Sequence, residues 1–140
     1  MKDIAVTFPE GKRVDAHYDG RTIKTDQSVR NGGDGCAPEP FDLFFVSIAT
    51  CVGIYVLEFC NERKLSTEGL GVRLHAERDA KKGIFAPMHI EITLPANFPE
   101  KQRGAILKTV NICTVVKHII ASSEFDVVLL DETRRCHDKE

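Results

Sequence analysis

Alternation of apolar and polar residues near the start of the chain predicts three short strands. The alternation runs through residues 3–8, 12–18 and 21–26, which is the period of a strand with one face buried. Turn residues at 9–11 separate the first two strands, and Asp19-Gly20 between the second and third is a two-residue hairpin signal. The pattern therefore predicts an N-terminal antiparallel meander.

A long apolar stretch in residues 38–64 predicts the central helix of the fold. No residue from Leu43 to Leu57 is charged, and the stretch is too long for one strand. Pro40 suits a first helical position, where its missing N–H costs nothing. Asp42 suits the first turn, where a carboxylate favours the positive end of the helix dipole.

The pattern predicts a buried core helix here and not a membrane span. The uncharged run covers about 15 residues, or roughly 22 Å, and falls short of the roughly 20 residues that cross a bilayer. A helix that is apolar on all sides is buried on all sides. Cys51 lies near the middle of the run, so a thiol is expected inside the fold.

The segments on either side of this helix differ in character. Residues 27–37 are polar and glycine-rich, which is typical of a flexible connecting loop. After the helix, alternation in residues 70–77 and again in 85–94 predicts two more strands. Pro87 lies inside the second of these and indicates an edge strand or a bulge.

The last part of the chain predicts a second helical stretch and a final strand. The helical pattern begins near Pro99 and continues through Ile120, and the nearly continuous apolar residues 125–130 predict the strand. Residues 131–140 form a charged tail that is expected to fray. Grouped strands with interposed helices favour an α+β fold with antiparallel sheets, and the length of 140 residues favours one domain.

Composition narrows the classes of function. The net charge is −2 and no run of basic residues stands out, which argues against nucleic acid as the main partner. The first residues contain no apolar signal region, so a cytoplasmic protein with reduced thiols is expected. The cysteine count is odd and there is no C-x-x-C pair, and the five histidines lack ligand spacing, so no metal site is expected.

The spacing of the five cysteines limits which of them can pair. Cys51 and Cys60 are separated by a rise of roughly 13 Å and about half a turn on one helix, too far for a disulfide, so Cys60 is interpreted as packing. Cys36 lies in the loop and Cys136 in the tail, where nothing fixes either residue. Cys113 lies in the second helical stretch, and its pairing with Cys51 is geometrically allowed if the two helices pack together.

Four segments of the chain resemble motifs of the OsmC/Ohr superfamily and occur in the same order. Residues 38–51 resemble its P-x-P-x-[Glu/Asp]-L segment with the following helical cysteine, and residues 62–65 resemble the end of its helix. Residues 68–72 resemble its next strand, and residues 112–115 resemble its second cysteine motif. The spacing between Cys51 and Cys113 also suits the family. That superfamily includes osmotically inducible and organic-hydroperoxide-resistance proteins.

The resemblance implies an OsmC-like fold, an intertwined homodimer with sites near the subunit interface, and a cysteine-based peroxidase of the oxidative stress response. Cys51 would be oxidised by an organic hydroperoxide, Cys113 would resolve the sulfenic acid as a disulfide, and an external dithiol would regenerate both thiols. The resemblance implies no cofactor. The apolar residues around Cys51 favour fatty or aromatic hydroperoxides over small polar ones.

The sequence departs from the family pattern at two positions. The hydroperoxide-resistance branch carries a glutamate ten residues before its reactive cysteine, where this chain has Phe41. The acid here is Asp42, nine residues before Cys51, an angular offset of about half a turn that makes it face away from Cys51 on a regular helix. Asp42 also suits a plain helix start. Thr114 stands where many members have proline, and it is expected to join the two helical pieces and to move Cys113.

The family also uses an arginine from its N-terminal hairpin to stabilise the reactive thiolate. Arg13 is the nearest candidate in this chain, and Arg21 and Arg30 are alternatives. Two other functions remain open at this stage. One is a binding module that holds an apolar ligand without turnover, which the missing glutamate favours. The other is a redox sensor or sulfur carrier that uses the same two thiols.

Overall fold

A computed structural model of the protein describes residues 2–130. The chain begins with an antiparallel sheet of β1 (Ala5–Thr7), β2 (Val14–Tyr18) and β3 (Arg21–Thr25), ordered β1-β2-β3. In its register Ala16 lies opposite Ile23, and Val14 opposite Thr25. The predicted meander is confirmed, and its strands are half-buried or exposed along most of their length.

The loop between this sheet and the central helix is compact, so the prediction of a flexible connector is wrong. The buried carboxylate of Asp26 accepts backbone N–H groups of Gln27 at 2.8 Å, Cys36 at 3.1 Å and Asp34 at 3.2 Å. These donors, led by the N–H of Cys36, lower the pKa of the Asp26 carboxyl, although its burial opposes them. One carboxylate therefore organises the loop, a role that a polar, glycine-rich composition does not reveal.

The central helix α1 spans Pro40–Glu62, as predicted. Glu39 and Asp42 form a reciprocal capping box at its start, in which the Glu39 N–H donates to Asp42 Oδ2 at 3.0 Å. Such a box satisfies N–H groups that have no partner inside the helix. Glu39 Oε1 also accepts the Ser28 N–H at 2.9 Å, which fastens the loop to the helix start.

A second antiparallel sheet follows α1 and contains β4 (Gly71–Asp79) and β5 (Ile84–Thr93). Its register is regular from Gly71 to Ala76 and shifts between Ala76 and Arg78. Pro87 lies in the stretch of β5 opposite this irregularity. The predicted association of the proline with an edge or a bulge is confirmed, since both strands of a two-stranded sheet are edges.

Two helices at an angle follow the second sheet. A 3-10 turn at Glu100–Gln102 leads into α2 (Arg103–Ile112), and α3 (Thr114–Ala121) comes after a break at Cys113. Cys113 has extended backbone angles, and the helical stretches on its two sides are bent by 56°. The expectation that Thr114 joins them is wrong, because the break is made by the backbone of Cys113 and does not need a proline.

The predicted last strand does not form within the described chain. Residues 122–130 have no regular secondary structure, and their large apolar side chains lie in solvent, with Phe125 89% and Leu129 93% exposed. The apolar pattern typical of a strand is present, but within residues 2–130 no neighbouring strand lies beside it. Residues 131–140, with the predicted frayed tail, lie outside the described residues.

The core lies where α1 packs against α2, α3 and β4. Its buried residues come mainly from one side of α1 and from the second half of the chain: Val52, Val56, Phe59, Cys60, Phe98, Ile106 and Cys113. We call α1–α3 with β4 and β5 the body, and residues 2–25 and 122–130 the arms. The arms contribute only Thr25 to the buried positions.

The central helix has an exposed apolar stripe in addition to its buried side. Val46, Ile54 and Leu57 are large exposed hydrophobic residues on it, and their spacing places them along one face. By length and composition α1 could cross a membrane, as could Glu100–Ile112 with Thr114–Ala121 if that bent pair were one span. Within this chain 28% of the most apolar window of α1 is buried. The expected α+β architecture is confirmed, whereas burial of α1 on all sides is not found within one chain.

Candidate active site

Two cysteines distant in sequence lie side by side at the centre of the body. Cys51 is half-buried on the middle of α1 and packs against the core cluster that contains Cys113. Cys113 is fully buried at the break between α2 and α3. The Cys51 thiol is one of the groups that raise the pKa of the Cys113 thiol, so the two side chains are neighbours, and both are free. The structure thus brings together the two cysteines that the sequence analysis singled out.

The surroundings of Cys113 act on its ionisation in opposite directions. Burial raises the pKa of the Cys113 thiol, and its interaction with the Cys51 thiol raises it further. The backbone N–H groups of Val116 and Val115 at the start of α3 lower the pKa of the Cys113 thiol, although the Cys113 side chain makes no regular capping hydrogen bond to α3. The net effect keeps a proton on Cys113, while the amides of α3 lie where a negative sulfur would be stabilised.

The candidate arginine lies in a different part of the chain. Arg13 donates to Glu10 at 2.8 Å and to Asp34 at 3.1 Å, and its Nη2 lies 3.7 Å from Cys36 Sγ. The neighbouring Cys36 sulfur is the main cause that raises the pKa of Arg13. No polar contact joins Arg13 to Cys51 within the described residues. The alternatives Arg21 and Arg30 are exposed.

Asp42 and Phe41 have structural partners at the start of α1. Asp42 belongs to the capping box, which accounts for its position without a role at the thiols. Phe41 stacks on Phe44 at 5.3 Å and meets the edge of Phe45 at 5.0 Å. Phe85 from β5 completes this aromatic cluster.

An apolar cleft of about 500 Å³ opens beside the aromatic cluster. It is lined by residues of α1 and of the β4–β5 hairpin: Phe41, Phe44, Arg78, Gly83, Ile84, Phe85 and Met88. Phe44 and Cys51 are seven residues apart on α1, so they lie on nearly the same face with a rise of roughly 10 Å. The cleft therefore lies about two turns before Cys51 on α1, on nearly the same face of the helix.

The remaining cysteines have other surroundings. Cys60 is fully buried in the core, as expected of a packing residue, and burial raises the pKa of its thiol. Cys36 is exposed and contacts Arg13. Cys136 lies outside the described residues.

Sequence reasoning missed two polar features that shape this region. The Tyr55 hydroxyl, one turn after Cys51, hydrogen-bonds Thr114 Oγ1 at 2.9 Å, immediately after Cys113. No local pattern in the sequence marks this pair, because the two residues are far apart along the chain. His75, one of the histidines without metal-ligand spacing in the sequence, lies 3.3 Å from Glu91 across the β4–β5 sheet. No group of three metal-ligating side chains occurs among residues 2–130.

Comparison of the sequence with protein families decides the classification. Residues 32–128, more than half of the chain, match the family described as OsmC-like protein. The chain belongs to the OsmC-like family. The matched region contains both candidate cysteines, the whole of α1 and the aromatic cluster. Comparison with curated proteins finds no match for this OsmC-like chain.

Solved structures share the OsmC-like fold. A protein of Psychrobacter arcticus, described as an osmotic stress induced and detoxification response protein, is 25% identical with a TM-score of 0.70, covering 84% of this chain and 87% of that one. The organic hydroperoxide resistance protein OsmC of Legionella pneumophila is 19% identical, with a TM-score of 0.57 and coverages of 85% and 88%.

A third similar structure was solved with a small molecule. This Vibrio cholerae protein, named for organic hydroperoxide resistance, has captopril in one of its active sites. It is 18% identical to this OsmC-like chain, with a TM-score of 0.57 and coverages of 84% and 83%. At such identities the last two structures establish the shared fold alone.

Proposed function

We propose that this OsmC-like protein is a thiol-dependent peroxidase that reduces organic hydroperoxides. The observation that carries the proposal is the adjacency of the Cys51 and Cys113 thiols at the centre of the body. Cys51 is the accessible member because it is half-buried, whereas Cys113 is fully buried. An accessible thiol next to a resolving thiol is the arrangement that reversible cysteine oxidation requires.

The reaction follows from this difference in exposure. The Cys51 thiolate attacks the terminal oxygen of the hydroperoxide, the O–O bond breaks, and the alkoxide takes a proton and leaves as alcohol. Cys51 is then a sulfenic acid. Cys113 loses its proton and attacks the Cys51 sulfur, a disulfide forms, and hydroxide takes that proton and leaves as water. An external dithiol reduces the disulfide by exchange and is itself oxidised.

The aromatic residues of α1 favour an apolar substrate. Where the family's hydroperoxide-resistance branch has a glutamate, Phe41 adds an aromatic ring to the cleft. Burial of apolar surface at roughly 25 cal/mol per Å² would select a bulky hydroperoxide over hydrogen peroxide. The same cleft supports the second candidate function, binding of an apolar ligand without turnover.

We further propose that two copies associate and cover the apolar surface that one chain leaves exposed. Val46, Ile54 and Leu57 form a stripe on α1, and the extended residues 122–130 carry five large apolar side chains in solvent. An apolar surface of this extent is rare on a monomer and typical of an interface. An extended apolar segment without a neighbouring strand suits pairing with the edge of a second sheet.

Association also offers a role for Arg13. Within one chain the strands of the N-terminal sheet pack mainly against each other. Among residues 2–130 the polar side-chain contacts of Arg13 are with Glu10, Asp34 and Cys36. In the proposed dimer the sheet of one copy lies against the body of the other, and its Arg13 stabilises the thiolate of the other copy's Cys51. Asp42 keeps its capping role in this arrangement.

The proposed activity is tested by hydroperoxide consumption with dithiothreitol as the external dithiol. We expect the wild-type protein to consume cumene hydroperoxide faster than hydrogen peroxide. Cys51→Ser should lower this rate by about 100-fold or more, since the nucleophile is lost. The matched variant Cys36→Ser, at an exposed loop thiol, should keep at least half of the rate.

Two results would count against the peroxidase. One is equal consumption by wild type and Cys51→Ser. The other is no consumption by wild type combined with saturable binding of cumyl alcohol, which would move the function to ligand binding. The proposal places the protein in the cytoplasm, where a reducing environment keeps both thiols available.

A further inference from the structure

The hydrogen bond between Tyr55 and Thr114 lies directly beside the two thiols. Tyr55 follows Cys51 by one turn of α1, and Thr114 is the first residue of α3, immediately after Cys113. The hydroxyl oxygens are 2.9 Å apart. Among residues 2–130 this is the hydrogen bond between side-chain oxygens that joins α1 to the α2–α3 pair, in addition to the neighbouring thiols. The same two elements therefore carry a thiol pair and a hydroxyl pair side by side.

Other bonds connect Thr114 and Cys113 to α3 but not to α1. The Lys117 N–H donates to the Cys113 carbonyl at 2.9 Å, and His118 Nδ1 donates to the Thr114 carbonyl at 2.7 Å. The first turn of α3, which contains Thr114, is therefore held together by its own hydrogen bonds. A bond from Tyr55 to this turn fixes where the turn lies on α1, and with it where the Cys113 sulfur lies.

Geometry makes this placement matter for disulfide formation. A disulfide requires Cα atoms within about 4.4–6.8 Å and a narrow range of side-chain directions. Cys113 lies at the 56° bend between two helical stretches, where a small rotation of α3 moves its sulfur. The apolar contacts of Val115 and Val116 with the core restrain α3, but they lack the directionality of a hydrogen bond.

We propose that Tyr55, through its hydrogen bond to Thr114, is a positioning residue for the step in which Cys113 resolves oxidised Cys51. Tyr55 does not touch the hydroperoxide or take part in bond making. It holds the N-terminus of α3, and thus Cys113, at the distance from Cys51 that the disulfide needs. Where many family members have proline, Thr114 supplies the hydroxyl that the bond requires. The inference rests on the proposed pairing of the two thiols, not on hydroperoxide as the oxidant.

A thiol–disulfide equilibrium tests the inference without hydroperoxide. The full chain is equilibrated with mixtures of oxidised and reduced dithiothreitol, and the fraction with a Cys51–Cys113 disulfide is measured by alkylation and mass mapping. Tyr55→Phe and Thr114→Val should each lower the equilibrium constant by about three- to tenfold, the range for loss of one neutral hydrogen bond. The double variant should lose no more than either single variant, because both remove the same bond.

Two controls distinguish positioning from general damage to the fold. Thr114→Ser keeps the hydroxyl and should restore the wild-type constant to within about twofold. Tyr18→Phe removes the hydroxyl of the other tyrosine, on β2, and should have no effect. The inference is overturned if Tyr55→Phe stays within twofold of wild type, if the losses in the double variant add, or if wild type forms no Cys51–Cys113 disulfide.

The kinetic test separates the two steps of the reaction. After one equivalent of cumene hydroperoxide, Tyr55→Phe should oxidise Cys51 at the wild-type rate but should form the disulfide several-fold more slowly, so that dimedone traps more sulfenic acid. A wild-type protein that forms the disulfide with oxidised dithiothreitol but ignores hydroperoxide would contradict the peroxidase and leave the positioning role intact. An equal slowing of both steps would overturn the positioning role.

Discussion

The body and the arms of this protein differ in how they bury apolar surface. In the body, α1 packs against two helices and a strand of its own chain, and Val52, Ile106 and Cys113 are shielded from solvent. In the arms, Val6, Phe125 and Leu129 have comparable hydrophobicity but remain exposed. The core of the body is therefore formed within one chain, whereas the apolar stripe on α1 and the apolar residues of the arms are covered in the proposed dimer.

The two regions also carry different groups of the proposed active site. The two thiols lie in the body, where intrachain packing fixes them next to each other. Arg13 lies in the arms, where its neighbours are Glu10, Asp34 and Cys36. In the account proposed above, assembly brings a cation from one copy to a thiol of the other, so activity and association are linked.

The largest effect on stability is expected from the body. Ile106→Ala removes a side chain that is 1% exposed and should lower the free energy of unfolding by about 2–5 kcal/mol through lost burial and a cavity. The neighbouring Leu107→Ala, at a 62% exposed position, should cost under about 0.5 kcal/mol. Urea unfolding monitored by circular dichroism measures both, and equal losses would contradict the assignment of Ile106 to the buried core of the body.

A charge in the arms should weaken association without unfolding the body. The double variant Val127→Asp and Leu129→Asp places two carboxylates on the exposed apolar segment and should raise the dimer dissociation constant about 100-fold, as for loss of interface hot spots. Ser123→Asp, a charge at an exposed polar position, is the control. Sedimentation velocity over a range of concentrations measures the change, and an unchanged sedimentation coefficient would contradict the assigned role of residues 122–130.

The loop that connects the two regions should be sensitive to a single methyl group. A Cβ at Gly33 would lie 2.1 Å from the Gln27 carbonyl oxygen, so Gly33→Ala forces the loop to move and should cost about 1–3 kcal/mol. Gly104→Ala, on α2 with open space around its Cβ position, should instead stabilise by about 0.5–1 kcal/mol. Thermal unfolding compares the two variants, and stabilisation by Gly33→Ala would show that the loop is loosely held.

The smallest effect is expected from pH. Burial raises the pKa of Cys60 and of Cys113 above the ordinary thiol value of 9.0. As pH rises past that value, the unfolded chain loses these protons before the folded chain does, so the free energy of unfolding falls. At pH values well below 9.0 both thiols keep their protons in the folded and the unfolded chain, so they should not change the free energy of unfolding there. Urea unfolding between pH 7.5 and about 9.8 measures the decline.

Two variants, one at a buried cysteine and one at an exposed cysteine, test whether the buried thiols cause the decline in the free energy of unfolding. Cys60→Ala should reduce the decline, since it removes one of the two buried thiols. Cys36→Ala, at an exposed position, should leave the decline unchanged. Identical slopes in both variants would contradict the assignment of the effect to buried thiols.

The sequence predicted the elements whose structure depends on nearby residues. The alternation in β2 and β3, the proline and acid at the start of α1, and the pattern of β4 and β5 all gave the observed elements. These elements follow from local periodicity and capping, which the sequence carries directly. The resemblance to the OsmC/Ohr superfamily singled out Cys51 and Cys113, which are neighbours in the fold.

Features that depend on distant partners were predicted poorly. The loop at 27–37 was predicted to be flexible because its order comes from one buried carboxylate, that of Asp26. Residues 125–130 have the pattern of a strand, but no neighbouring strand lies beside them among residues 2–130. The Tyr55–Thr114 bond joins residues far apart in sequence, and no local pattern marks such a pair.

The central claim is that Cys51 and Cys113 act as a redox pair. It is tested most directly by adding one equivalent of cumene hydroperoxide to the fully reduced protein and mapping the state of every cysteine by mass spectrometry. The account predicts rapid formation of a Cys51–Cys113 disulfide that is absent in Cys51→Ser, with Cys36 and Cys60 still reduced. Cys51 left reduced, or oxidised no faster than a free thiol in solution, would contradict it.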